Sequence, residues 1–125
     1  MNDYTVTIIK TSKELSNKER IKIKDTMDAI GIDEATQSGA YEIQPDVWAL
    51  LSVHNEYARD NKDYDQLVIL GADGEKYYTG SGSFIQAFIA IAEEMADDPE
   101  PWSISAYRVP SKNYTGKEFL SCSIK

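Results

Sequence analysis

The alternation of apolar and polar positions predicts a chain built mainly of β-strands. Residues 4–10 are rich in β-branched side chains and partly alternate, which predicts a strand. Residues 66–71, of which 67–70 are all apolar, predict a strand buried on both faces. The Asp-Gly pair at 73–74 predicts a tight hairpin turn into a strand at 76–79, because both turn positions require residues that tolerate a positive φ.

One helix is clearly marked, and it precedes two final strands. An apolar stripe at helical spacing predicts a helix over residues 81–96, which ends before two closely spaced prolines. Even-numbered residues are apolar both in the strand that begins at 102 and in the last strand. Both sets must enter the same core, so we expect a pairing that sets Tyr107 opposite Phe119 and Val109 opposite Lys117.

Three segments are harder to interpret. Residues 20–24 alternate cations with isoleucines, which predicts a strand with Ile21 and Ile23 facing a core; a helix over 14–29 is the alternative, because lysine, glutamate and methionine favour helix. Residues 45–59 fit a helix that Pro45 could open, and equally a strand with alternate apolar side chains on one face. For residues 45–59 periodicity does not decide between helix and strand. Residues 25–39 predict a loop with at most one helical turn.

A helix inserted before a final two-stranded hairpin is the arrangement of an OB fold. The predicted fold class is therefore mainly β with one helix, an OB-like five-stranded barrel with helix 81–96 before the final hairpin. The chain of 125 residues is long enough for its own core, and we expect a single domain over residues 1–125.

Charge is distributed unevenly along the chain. The net charge is −8, yet residues 1–24 hold six cations against three carboxylates, and residues 102–125 hold four against one. Residues 25–101 hold three cations against seventeen carboxylates, a local charge of −14. A ligand responds to the local field of a groove. Because an OB barrel places its first strand beside its fourth, we expect the two basic ends to meet on one surface.

Residues that carry catalytic or metal chemistry are scarce. His54 is the only histidine, which leaves no histidine-based metal cluster. Cys122 is the only cysteine, so we expect a core residue, no internal disulfide and a reducing, cytoplasmic compartment. Residues 71–76 lack P-loop spacing, and no apolar run approaches the length of a membrane span. We expect neither catalysis nor a cofactor, and no metal.

The basic and aromatic residues of the last hairpin are the strongest functional signal. Its turn, 110–116, corresponds to the OB loop that forms one wall of the ligand groove. Rings can stack on bases while lysine and arginine follow phosphates, although each tyrosine alone also fits a half-buried barrel rim. The candidate nucleic-acid-binding residues are Lys22, Lys24, Tyr57, Lys62, Tyr77, Tyr107, Arg108, Lys112, Tyr114, Lys117 and Phe119.

Two segments, 65–84 (DQLVILGADGEKYYTGSGSF) and 110–119 (PSKNYTGKEF), resemble small single-stranded DNA-binding proteins of tailed phages of Gram-positive bacteria. The resemblance covers roughly residues 41–125. It implies an OB fold and sequence-tolerant binding of single-stranded DNA during phage DNA replication or recombination, in the host cytoplasm. The DNA contacts it implies are Tyr77, Lys112, Tyr114 and Lys117.

Phage or host replication and recombination proteins are the protein partners expected from this resemblance. The chain ends at residues 123–125 without an acidic tail, so we do not expect recruitment of host partners through such a tail. An alternative function follows from the acidic block 25–101, whose carboxylates could imitate a phosphate backbone. The chain would then be a phage interaction protein that inhibits a host defence or DNA-handling protein. A third alternative is a structural phage protein without a nucleic-acid role.

Overall fold

The computed structural model describes residues 4–60, 62–113 and 115–125, which form eight strands in two sheets and three short helices. None of these helices has the length and apolar character needed to cross a membrane. The helices are α1 (Asn17–Lys24), α2 (Ile32–Ala35) and α3 (Gly82–Glu94). The strands are β1 (Tyr4–Thr11), β2 (Ile30–Gly31), β3 (Tyr41–Ile43), β4 (Pro45–Asn55), β5 (Asp63–Gly71), β6 (Lys76–Thr79), β7 (Ile104–Pro110) and β8 (Glu118–Ile124).

The larger sheet has the strand order β1-β4-β5-β6-β2, with antiparallel pairs except for the parallel pair of β2 and β6. The segment that opens at Pro45 is a strand and not a helix, because β1 and β5 pair with it on both sides. The hairpin between β5 and β6 is confirmed, but its turn is not centred on Asp73 and Gly74. The Gly74 backbone N–H donates to the Gly71 carbonyl at 3.0 Å, so Ala72 and Asp73 are the central residues, and Gly74 follows them with a φ of 87°. Successive residues of β4 and β5 point to opposite faces, and both faces are covered.

The first core lies between one face of the larger sheet and a layer made of α3 and the smaller sheet, β3-β7-β8. Phe88 packs edge-on against Trp48, with ring centroids 5.7 Å apart, and stacks on Phe84 at 6.2 Å. The Ser81 hydroxyl caps α3 by accepting the Phe84 backbone N–H. The predicted helix before the final hairpin is therefore confirmed.

The second core lies on the opposite face of the larger sheet, under α1. The strand predicted over 20–24 is wrong, because these residues belong to α1. Ile23 is fully buried whereas Ile21 is 69% exposed, since residues two apart on a helix differ in direction by about 200°. Ser16 and Glu19 form a capping box that begins this helix.

The final hairpin buries the predicted inward residues Ile104, Ala106, Leu120 and Cys122, whereas Ile124 at the end of β8 is 49% exposed. The predicted register is not confirmed. Tyr107 lies opposite Ser121, and Val109 lies opposite Phe119, a shift of two residues from the expected pairing. A shift of two keeps every side chain on its face, so the alternation alone could not detect it. Within the described ranges the two sheets do not close into a barrel, and the five-stranded barrel is not confirmed.

Candidate nucleic-acid interface

The outer face of the smaller sheet carries an apolar patch near the turn between β7 and β8. Val109 and Phe119 lie directly opposite each other, and Tyr107 lies one diagonal step away. Phe119 is 43% exposed, while Tyr107 and Val109 are half-buried. Residues opposite each other in an antiparallel pair share a face, so the three side chains lie on the same face of the sheet. We call Tyr107, Val109 and Phe119 the hairpin patch.

The hydroxyl group of Tyr107 forms a hydrogen bond with the hydroxyl group of Ser123, two residues further along the same face of β8 than Ser121. This bond holds the ring across the outer face of the smaller sheet. The patch thus contains one ring that is held by a polar contact, Tyr107, and one ring with greater exposure, Phe119.

The turn adjoining the patch carries two lysines. The Ser111 backbone N–H donates to the Lys117 carbonyl at 2.8 Å, which closes the loop. Gly116 has a φ of 79°, a left-handed conformation that favours glycine. Lys112 and Lys117 are exposed, and neither makes an ion pair with any residue that the structure describes. Tyr114, a predicted contact in this turn, lies outside the described residues.

Arg108 does not belong to this outer face. It lies opposite Leu120, on the inward face of the hairpin, and its guanidinium group reaches α2. Its Nε donates to the Thr36 hydroxyl at 3.3 Å, and its Nη2 donates to the Asp33 carbonyl. Arg108 therefore links the hairpin to the end of α2, and its side chain is directed away from the hairpin patch.

Lys22 and Lys24 lie on α1, on the opposite side of the larger sheet from the final hairpin. The cations of the two chain ends therefore do not meet, and the common surface expected from the sequence does not form. The reason is topological: β1 pairs with β4 in the larger sheet, whereas β7 and β8 belong to the smaller sheet.

Tyr77 is a core residue and does not offer a face to a base. The residue is 1% exposed. Its hydroxyl donates to Asp73 Oδ2 at 2.9 Å, and the same hydroxyl oxygen lies 3.2 Å from the Tyr41 hydroxyl oxygen. Burial, followed by these two hydrogen bonds, raises the pKa of the Tyr77 phenol. The contact implied for this residue by the resemblance therefore conflicts with its burial.

The loop between β4 and β5 contains Tyr57, which is exposed, and Lys62, whose Nζ lies 2.9 Å from Glu56 Oε1. His54 lies between two carboxylates, with Nδ1 2.6 Å from Asp63 Oδ1 and Nε2 3.0 Å from Glu56 Oε2. The hydrogen bond to Asp63, and then that to Glu56, raises the pKa of His54. Lys62 and the neighbouring His54 of β4 are thus directed towards carboxylates.

No cluster of three or more histidine, cysteine, aspartate or glutamate side chains suited to a metal ion occurs in the described ranges. Cys122 is buried in the first core, as its alternation with apolar neighbours predicts. Burial raises the pKa of its thiol to about 12, so the reactive thiolate form is disfavoured.

Comparisons with known proteins give no match to any family model, curated protein or solved structure. Within the chain itself, sequence reasoning missed Val109 as a member of the hairpin patch, because the register it assumed set Val109 opposite a lysine. It also missed the contact between Arg108 and α2, which joins residues more than seventy positions apart. No local signal identifies such a contact.

Proposed function

We propose that this protein binds single-stranded DNA, without catalysing a reaction, on the hairpin patch and the adjoining turn. The observation that carries the proposal is an exposed ring, Phe119, on a sheet face beside two lysines without a carboxylate partner in the described ranges. A base can stack on such a ring regardless of its identity. Lysines at the edge of the ring can neutralise the phosphates on either side of that base.

The charge available for DNA is concentrated at the turn. Lys125, at the other end of β8, forms an ion pair with Glu42, and Arg108 is engaged by α2. Lys112 and Lys117 are thus the hairpin cations that can approach phosphates. Two cations and one exposed ring suit a contact with a short stretch of single-stranded DNA.

The resemblance to phage single-stranded DNA-binding proteins supports the same partner. It adds DNA replication or recombination in the host cytoplasm as the proposed setting, with phage or host proteins of those processes as further partners. The OB-like barrel stays a prediction from that resemblance. The proposed interaction requires only the exposed sheet face and its turn.

The proposal is tested by titrating fluorescently labelled oligothymidine with the protein at several salt concentrations. Removing two phosphate contacts in Lys112→Ala/Lys117→Ala should reduce the slope of log affinity against log salt by about 1.4, from about 0.7 for each phosphate of a single strand. Lys18→Ala/Lys22→Ala removes the same charge from α1 and should leave the slope unchanged. Equal slopes for the wild-type protein and the hairpin variant would refute the assignment.

A second candidate is the acidic interaction protein, and one observation favours it. Of the seventeen carboxylates in residues 25–101, five form ion pairs with a cation, within the part of the chain that the structure describes. Most carboxylates of the acidic block therefore have no cationic partner among the described residues. A gel shift with labelled oligothymidine at low salt separates the candidates: DNA binding predicts a shifted band, and the acidic interaction protein predicts none.

A further inference from the structure

A groove of about 560 Å³ runs along the outer edge of β1, between this strand and α1. Val6, Ile8 and Leu15 form its apolar floor, and all three pack against the second core. Arg20 and Lys24 line the wall contributed by α1. The hairpin patch lies across the larger sheet from this groove, so DNA binding there leaves the groove unexplained.

The strand beside the groove has an edge without a neighbour. In the described ranges β1 pairs with β4 alone, and no other element forms a hydrogen bond with the backbone of residues 4–9. Alternate N–H and C=O groups of an edge strand face away from its sheet and can pair with an added strand. A bulge between Ile8 and Lys10 interrupts the regular edge. An added strand could therefore pair with residues 4–8.

The groove is positive although the whole chain is acidic. Arg20 and Lys24 are four residues apart on α1, so their side chains lie on the same side of the helix. Neither forms an ion pair with a described residue, whereas Lys10 pairs with Glu93 at 2.6 Å. Glu14 is the carboxylate in the lining. Two unpaired cations thus face a single carboxylate.

From this combination we infer that the groove binds an extended, acidic peptide segment of a partner protein, which adds a strand to β1. The peptide backbone would pair with the edge, and every second side chain would face α1, where apolar ones contact Val6 and Ile8 and carboxylates approach Arg20 and Lys24.

A second copy of this chain fits the groove less well. β1 contains no carboxylate, so a second copy that paired through this edge would offer none to Arg20 and Lys24. Nucleic acid would be attracted by Arg20 and Lys24 but would leave the strand edge unused. The edge and the apolar floor therefore favour a peptide.

The test uses a fluorescein-labelled peptide of about eight residues in which every second residue, the set that faces α1, is valine and glutamate in turn, with threonine at the positions between them. Fluorescence polarisation at low salt should show binding to the wild-type protein. The double variant Arg20→Glu/Lys24→Glu should weaken it at least about tenfold, since it places like charges against the peptide. Lys18→Glu/Lys22→Glu makes the same charge change on another side of α1 and should weaken binding less than about threefold.

A second peptide, N-methylated at alternate amides, keeps the charge but removes the donors that a strand edge requires. It should bind the wild-type protein at least about tenfold more weakly than the unmodified peptide. This comparison needs no protein variant. If circular dichroism shows that Arg20→Glu/Lys24→Glu does not fold, Arg20→Gln/Lys24→Gln takes its place.

Three results would overturn the inference: equal binding of the N-methylated peptide, equal loss in both double variants, or no binding of the unmodified peptide. Displacement of the peptide by oligothymidine, with DNA affinity itself dependent on Arg20 and Lys24, would assign the groove to nucleic acid instead. If sedimentation shows a dimer, and Arg20→Glu/Lys24→Glu weakens that dimer, the groove would be assigned to a second copy of the chain. None of these results depends on Lys112 and Lys117, so failure here is distinguishable from failure of the proposed function.

Discussion

Replacing Phe119 by alanine removes the exposed ring of the hairpin patch. If a base stacks on this ring, the loss should be about 1–3 kcal/mol of binding free energy. This corresponds to an increase in the dissociation constant for oligothymidine of about 5- to 150-fold. The prediction follows from the position of Phe119 on the outer face, opposite Val109 and 43% exposed.

The same substitution should change stability much less. In the folded protein the cross-strand pair of Phe119 with Val109 contributes roughly 0.2–1 kcal/mol. The expected loss in the free energy of unfolding is therefore about 1 kcal/mol or less, which lowers the melting temperature by roughly 3–6 °C in a chain of this size. The variant should consequently remain folded at 25 °C, and its binding can be measured.

Fluorescence polarisation with labelled oligothymidine measures the binding loss, and urea unfolding measures the stability loss. Tyr4→Ala is the matched control, because the Tyr4 ring is 54% exposed but lies on β1, in the larger sheet. It should change the dissociation constant by about twofold or less, as expected for an exposed residue outside a site. If Phe119→Ala binds as tightly as wild type, or if Tyr4→Ala weakens binding equally, the hairpin patch is not the stacking surface.

Two further predictions concern hydrogen-bonded groups. Tyr77→Phe removes the bond to Asp73 and should lower the free energy of unfolding by about 1 kcal/mol in urea titrations; weaker oligothymidine binding at unchanged stability would contradict its burial. His54 should titrate above its ordinary pKa of 6.5 by NMR, and Asp63→Asn, unlike Asp65→Asn, should lower it. Because the folded-state pKa of His54 is raised, the stabilisation that protonated His54 gains from Asp63 and Glu56 is present below pH 6.5 and is lost as pH rises through the raised value. An unshifted pKa would contradict these contacts.

Features set by a few neighbouring residues could be predicted from the sequence. The Asp-Gly pair at 73–74 marks the hairpin between β5 and β6, and Gly74 adopts the positive φ that glycine tolerates, although the turn is centred one residue earlier than predicted. The stripe that predicts helix 81–96 corresponds to α3. A local signal for α1 was also present: Ser16 and Glu19 stand three apart, as a capping box requires. The alternation of Ile21 and Ile23 with cations favoured a strand instead, although a helix can also bury one of the two isoleucines.

Features that require distant partners were decided by the tertiary structure. The segment from Pro45 became a strand because β1 and β5 flank it, and the side chain of Arg108 was drawn to α2. The hairpin register differed from the expectation by two residues, which leaves the inward and outward faces unchanged.

The candidate site, too, was determined partly by local sequence and partly by contacts between distant residues. Composition located the basic and aromatic residues of the final hairpin, but pairing put Phe119 beside Val109 and buried Tyr77. Pairing of β1 with β4 separated the cations of the two chain ends onto opposite faces of the larger sheet. Propensity and periodicity act over a few residues, whereas sheet order and burial depend on contacts between residues far apart in the chain, which a single sequence does not specify.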